Sequence, residues 1–310
     1  MCRRSPGRRK KSGQMKAGSP GGCCGGKSSL DQLLEQLSDR EVARLLGGQA
    51  NTGVANTYGM GSLPAYGIPN IMTADGPAGL RIREECGVYT TAWPCATLLA
   101  CTWNPELVFE VGAAGAAEVK ENNIGIWLTP AMNIHRSPLC GRNFEYYSED
   151  PLVSGKMGAA MIRGIQSRHV GASMKHFCCN NKETNRKDSD SRVSERALRE
   201  IYLKGFEIAV KEAQPWTVMS SYNLMNGYPT SCNPELLQGI LRDEWGFEGM
   251  VTTDWWNHAE HYLEVKAGGD IKMGCGYPER ILEAKEKGLV SREEMERCAK
   301  RILQMILKID

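Results

Sequence analysis

The chain has 310 residues, 41% hydrophobic and 24% charged, which places it with ordinary soluble globular proteins and allows one large core. Its formal charge is +2, yet residues 1–29 hold eight Lys/Arg and no Asp/Glu, so taking these eight from +2 leaves −6 for the remainder. A mildly acidic body, with Lys and Arg mixed among Asp and Glu, offers no nucleic-acid footprint and suits a neutral substrate; no run approaches the ~20 apolar residues of a membrane span.

The N-terminal stretch reads as a disordered basic Gly/Ser-rich tail over 1–29, or as translation upstream of a start such as Met15. A nucleic-acid or membrane-surface arm is the rival reading. No apolar segment follows its basic residues, so it is not a secretory leader. The twelve cysteines are scattered and never form a C-x-x-C unit; free thiols in a reducing, cytoplasmic compartment are expected.

From Leu30 onward, short apolar runs alternate with amphipathic ones, the pattern of β/α units around a parallel sheet. The first candidate strand, Ile71-Met72-Thr73, runs into Asp75. Asn104-Pro105-Glu106 then opens a helix, with a side-chain cap followed by proline. Ile124–Leu128 leads into Pro130, and Asp150-Pro151 starts a second helix. Val170–Met174 leads into Lys175-His176, Thr217–Ser220 toward Tyr222, and Met250–Thr253 into Asp254, with a capped helix from Asn233-Pro234-Glu235 between the last two. Asp270–Met273 is a further strand, and Ser291-Arg292-Glu293-Glu294 has capping-box spacing ahead of a last helix.

Strands that end in polar residues predict a TIM-like (β/α)8 barrel over residues 30–310, with irregularity allowed in its first strands. In such a barrel the carboxyl ends of the strands share one face, and ~250 residues is the usual length. That face would gather Asp75, Arg81, Arg142, Lys175, His176, Arg186, Tyr222, Asp254 and Trp255. Such a set suits a sugar: charged groups for the hydroxyls, an indole for the C–H face, and a carboxylate for the anomeric carbon. Clustered cations would hold that carboxylate ionised.

The runs Thr73–Arg81, Gly141–Pro151, Lys175-His176-Phe177 and Gly249–Trp255 closely resemble glycoside hydrolase family 3, in particular its bacterial β-glucosidases, across nearly all of Leu30–Asp310. The resemblance implies that Asp254 is the nucleophile of a retaining reaction. It implies that Asp75 binds the hydroxyls at C4 and C6, and that Arg81, Arg142, Lys175, His176 and Arg186 line the same subsite. Met219 and Tyr222 match positions beside the nucleophile, and Trp255 matches an aromatic wall. The substrate implied is a β-glucoside or short oligosaccharide, with no cofactor and no metal.

In the two-domain members that the chain resembles, the acid/base glutamate comes from a second domain after the barrel. No residue here matches it, so the acid/base domain is expected to be missing from this chain, and a separate chain carrying that domain is an expected partner. A single-domain β-N-acetylglucosaminidase, whose acid/base is a second histidine after Lys-His, fits poorly, because Phe177–Arg186 has no histidine. A catalytically silent carbohydrate-binding barrel is the alternative from another class. His258 and His261 could imitate a metal pair, but no third ligand is in view. Trp256 is either a second wall or core, and His135–Pro138 is expected to shape the loop before Arg142.

Overall fold

The fold is described from a computed structural model covering residues 29–309, so the expected tail lies outside the described residues except for Ser29, which begins the first helix, Ser29–Gln36. The strands are β1 (Gly59–Leu63), β2 (Ile68–Ala74), β3 (Ile126–Trp127), β4 (Gly171–Phe177), β5 (Asp190–Ser191), β6 (Thr217–Ser220), β7 (Leu224–Met225), β8 (Tyr228–Pro229) and β9 (Met250–Thr252). Six of them form one sheet in the order β1-β2-β3-β4-β6-β9, parallel from β2 onward. The remaining three, β5, β7 and β8, form a small separate sheet in the loops.

The capping signals hold. Asn104 Oδ1 accepts the Leu107 amide at 3.1 Å at the start of helix Pro105–Glu121, and Asp150 Oδ1 accepts from Leu152 and Val153 at 2.7 and 3.0 Å at the start of Pro151–Ser167. Asn233 likewise accepts from Leu236, and Ser291 and Glu294 exchange hydrogen bonds at the head of Arg292–Ile309. Each cap satisfies amides that the first helical turn leaves without partners.

The sheet closes on itself. Ile271 bridges Thr252 of β9 in parallel, Lys272 bridges Gly47, and Gln49 pairs with Gly59 of β1. With these two short segments added to the six strands, the ring has eight staves, which is the predicted barrel. Its irregularity lies at the start, as allowed for. β1 runs antiparallel to β2 because only Pro64–Gly67 connects them, whereas a parallel crossover needs roughly a dozen residues. Gly61 has φ +89°, and a side chain there would also meet the Pro69 carbonyl at 2.5 Å, so only glycine fits.

Apolar packing holds the helices on the outside. Val108, Ile162, Phe206 and Leu237 belong to one buried cluster between the strands and helices 105–121, 151–167 and 204–213. Leu45, Ile281, Ile302 and Met305 belong to a second, where the last helix seals the seam beside β1. Burying a side chain of this kind contributes roughly 1.5–3 kcal/mol.

A buried ion pair braces that seam. Lys272 Nζ donates to Asn257 Oδ1, Ala259 O and Glu264 Oε2 at 2.5, 2.9 and 2.9 Å. Glu264 Oε1 in turn accepts from Asn257 Nδ2 at 2.6 Å. All three ammonium protons and both carboxylate oxygens therefore have partners, as a charge pair taken out of water requires.

Candidate active site

The strand ends deliver their polar side chains to one place. Asp75 follows β2, Arg142 stands in the β3–helix loop, and Arg186 lies in the loop after β4. Lys175 and His176, read from sequence as following their strand, are inside β4 itself. Met219 is in β6, Tyr222 just beyond it, and Asp254 and Trp255 follow β9. Together with Arg81, all ten predicted site residues line a single cavity of about 550 Å³.

Each carboxylate in the cavity has a different standing. Asp75 accepts from Lys175 Nζ at 2.6 Å and from Arg81 Nη1 at 3.3 Å. Burial pushes its carboxyl up, but the Lys175 ammonium in direct contact, joined by the Gly76 amide and Arg81, outweighs burial and holds it at about 2. Glu145 pairs with Arg142 Nε at 2.5 Å, and Glu183 Oε2 with Arg186 Nη1 at 3.1 Å. Glu183 Oε1 is buried without a hydrogen bond.

Asp254 is the exception. Its Oδ1 accepts from the Trp255 amide at 2.8 Å, which fixes the side chain, while its buried Oδ2 has no hydrogen-bond partner and faces His176 Nε2 at 3.8 Å. Burial pushes the Asp254 carboxyl up; Arg142, the Trp255 amide, Lys175 and Arg186 all act against burial without overcoming it. The cations therefore offset part of the burial that works against the ionised carboxylate. The reason is geometric, since Lys175 spends its short contact on Asp75.

The surrounding groups are held from behind. The backbone of His176 is locked by a reciprocal pair with Asn133, both bonds 2.9 Å. Burial drives its imidazole well below the usual histidine range, with Arg142, Lys175 and Arg186 adding to the effect, so the ring is neutral. The Tyr222 hydroxyl donates to Trp255 O at 2.6 Å, and the Arg186 guanidinium lies 4.7 Å from the Tyr222 ring centre.

Trp255 and Trp256 together with Tyr58 pack against Gly274, where a side-chain carbon would come within 2.9–3.0 Å of all three. Trp256 is 45% exposed and lines the cavity, so it belongs to the wall rather than the core. His135 Nε2 donates to Asn143 O and Tyr146 O, 2.8 and 3.0 Å away, shaping the Arg142 loop.

Sequence reasoning missed Asn56, Tyr58, Phe144, Glu183 and Lys187, which also line the cavity. Asn56 and Tyr58 precede a strand that the sequence did not signal. Phe144 follows Arg142 by two residues within the run 141–151, and Glu183 lies in the loop between His176 and Arg186, so proximity to these residues was the available signal. His258 turns outward to Asp188 at 3.1 Å, and His261 is buried elsewhere. Among the described residues no group of three His, Cys, Asp or Glu is arranged to hold a metal.

The cavity lies at the carboxyl end of the parallel strands, with cations around a carboxylate that has one oxygen without a hydrogen bond. The sequence pattern described as the glycosyl hydrolase family 3 N terminal domain matches residues 32–305. The chain belongs to glycosyl hydrolase family 3. As a family 3 chain it is 62% identical over 271 residues to beta-glucosidase A of Butyrivibrio fibrisolvens, covering 87% of this chain and 33% of that protein. It is 45% identical over 288 residues to thermostable beta-glucosidase B of Acetivibrio thermocellus, covering 89% and 37%.

Among solved structures, beta-glucosidase 3B of Thermotoga neapolitana in complex with alpha-D-glucose superposes with a TM-score of 0.86 at 45% identity, over 90% of this chain and 42% of that one. The family 3 chain thus spans about a third of the length of these curated relatives. No described helix is long and apolar enough to cross a membrane.

Proposed function

We propose that this chain forms the sugar-binding and nucleophile side of a retaining glycosidase acting on terminal β-D-glucosides. The observation that carries the reading is the convergence of ten residues from separate strand ends on one cavity, around a buried Asp254 oxygen with no hydrogen-bond partner. Relatives named beta-glucosidases support the substrate class.

In the proposed reaction Asp254 Oδ2 attacks the anomeric carbon. The C1–Oδ2 bond forms, the C1–aglycone bond breaks, and an acid gives the departing oxygen its proton. Water then attacks C1, yields its proton to the same group acting as base, and releases Asp254. Asp75, kept charged by Lys175, takes the hydroxyls remote from the reacting bond, while Arg142, His176 and Arg186 border the nucleophile and Trp255 covers the C–H face. Met219 and Tyr222 complete the subsite.

No described residue is assigned as the acid. Glu145 and Glu183, the other carboxylates of the cavity, each sit against an arginine. The acid is proposed to come from a separate second domain, with residues 30–310 acting as the barrel domain. A cytoplasmic setting is part of the proposal, supported by nine free cysteines among the described residues.

The test is calorimetric binding of glucose, followed by hydrolysis of dinitrophenyl β-glucoside against cellobiose. A good leaving group needs little protonation, and the loss of acid help costs about 10² to 10⁴ in rate, so only the aryl glucoside should turn over. Binding of glucose without turnover of either substrate would favour the silent sugar-binding barrel. Equal, brisk turnover of both would contradict the missing acid.

A further inference from the structure

We propose that Tyr146 is a positioning residue that fixes the tautomer of His176, so that the imidazole presents its Nε2–H to Asp254. Tyr146 belongs to none of the groups lining the cavity. It is fully buried behind the site, and its hydroxyl stands 3.5 Å from His176 Nδ1. Asn180 holds that hydroxyl in place, donating to it from Nδ2 at 3.2 Å and offering its backbone carbonyl at 3.2 Å.

The hydroxyl has one proton and two acceptors within reach, and the choice determines what faces the nucleophile. If the proton goes to Asn180 O, the phenol oxygen takes the Nδ1–H of His176, and an Nε2 lone pair is set 3.8 Å from Asp254 Oδ2. If it goes to His176 Nδ1, Nε2 carries the ring proton and turns the positive N–H edge of the ring toward Oδ2 across 3.8 Å. An unpaired neutral carbonyl costs less than a buried carboxylate oxygen opposed by a lone pair. The second arrangement therefore holds whenever Asp254 is ionised, the form its attack on C1 requires.

This inference deepens the nucleophile reading, and it is separable from it. The ring itself cannot escape to a charged form that would make the choice moot, because burial and three flanking cations keep it neutral. The Asn133 backbone lock leaves the tautomer, rather than the position, as the free variable.

The experiment is ¹⁵N NMR of the full chain labelled at histidine, with His176 assigned by its disappearance in His176→Asn. Nε2-protonated His176 is expected in the parent chain near neutral pH. Tyr146→Phe should give a mixed or Nδ1-protonated ring and slow the inactivation of the chain by a 2-deoxy-2-fluoro-glucoside about fivefold, because a lone pair then faces the Asp254 carboxylate in part of the molecules. The control Tyr202→Phe, whose hydroxyl meets Arg136 outside the cavity, should change neither.

An Nδ1-protonated His176 in the parent chain overturns the proposal, and so does an unchanged tautomer in Tyr146→Phe. If that variant fails to fold, Tyr146→Met is read in the same way, and an unchanged tautomer there overturns the proposal. Failure of the sugar to label Asp254 would instead strike at the nucleophile reading and leave the tautomer result standing.

Discussion

Two buried charge clusters lie a few residues apart along the chain and differ in one respect. Around Lys272 every donor and acceptor of the ion pair is used, with Asn257, Ala259 and Glu264 consuming all three ammonium protons. Around Asp254, three residues before Asn257, one carboxylate oxygen is buried with no hydrogen bond, and Glu183 Oε1 shares that condition. A saturated cluster is a finished structural part. An unsaturated carboxylate that also lines an open cavity can be completed by a bound molecule, which is why the cavity is read as the site and the seam as its brace.

The contrast breaks down if the two clusters respond alike to mutation. The largest expected effect is Asp254→Ala, which should lower reaction with an activated fluoro-glucoside by about 10⁴ or more, as loss of a nucleophile does. Its unfolding free energy should be unchanged or rise by about 1 kcal/mol, since an uncompensated buried carboxylate is removed. A large drop in stability, measured in denaturant, would place Asp254 among the structural charges.

Lys272→Met should do the reverse. Removing one partner of a buried, fully hydrogen-bonded pair costs about 3–5 kcal/mol, and pairing it with Glu264→Leu should recover most of that loss. Denaturant curves of the two single variants and the double variant supply the check. Strict additivity would deny the coupling.

His261 sharpens the comparison through pH. Burial holds its imidazole at about 3, with Lys272 adding to the effect, against ~6.5 in an unfolded chain. Between those values the unfolded state binds the extra proton, so this contribution is complete above about 6.5 and is lost as pH falls toward 3. Relative to the parent, His261→Gln should gain about 3 kcal/mol between pH 7 and pH 4. A pH-independent difference would refute the buried neutral ring.

The smallest effect separates two cations on Asp75. Lys175 is 2% exposed at 2.6 Å, whereas Arg81 is 59% exposed at 3.3 Å. Arg81→Ala should therefore weaken glucose binding by less than about 1 kcal/mol, and Lys175→Met by more, as calorimetry would report.

Much of this was legible in the sequence because a parallel barrel turns strand order into proximity. Runs such as Met250–Thr253 gave the strand and placed Asp254 at its polar end, and motifs around Asp75, Arg142 and Lys175 did the same. β1 was not legible, since Gly59-Met60-Gly61-Ser62-Leu63 has two glycines and no β-branched residue, so nothing in it signals a strand. With it went Asn56 and Tyr58. The closing contacts of Gly47 and Gln49 could not be foreseen either, because single bridges leave no periodicity. Nor could the sequence say that Lys175 would spend its contact on Asp75 and leave Asp254 dominated by burial, which is a matter of ångströms.

The most direct measurement is intact mass and peptide mapping after incubation with a 2-deoxy-2-fluoro-glucosyl donor bearing a dinitrophenyl leaving group. One adduct per chain on the peptide containing Asp254, absent in Asp254→Ala, is the predicted result. An adduct on another carboxylate of the cavity, or an equal yield from the alanine variant, would contradict the assignment of the nucleophile.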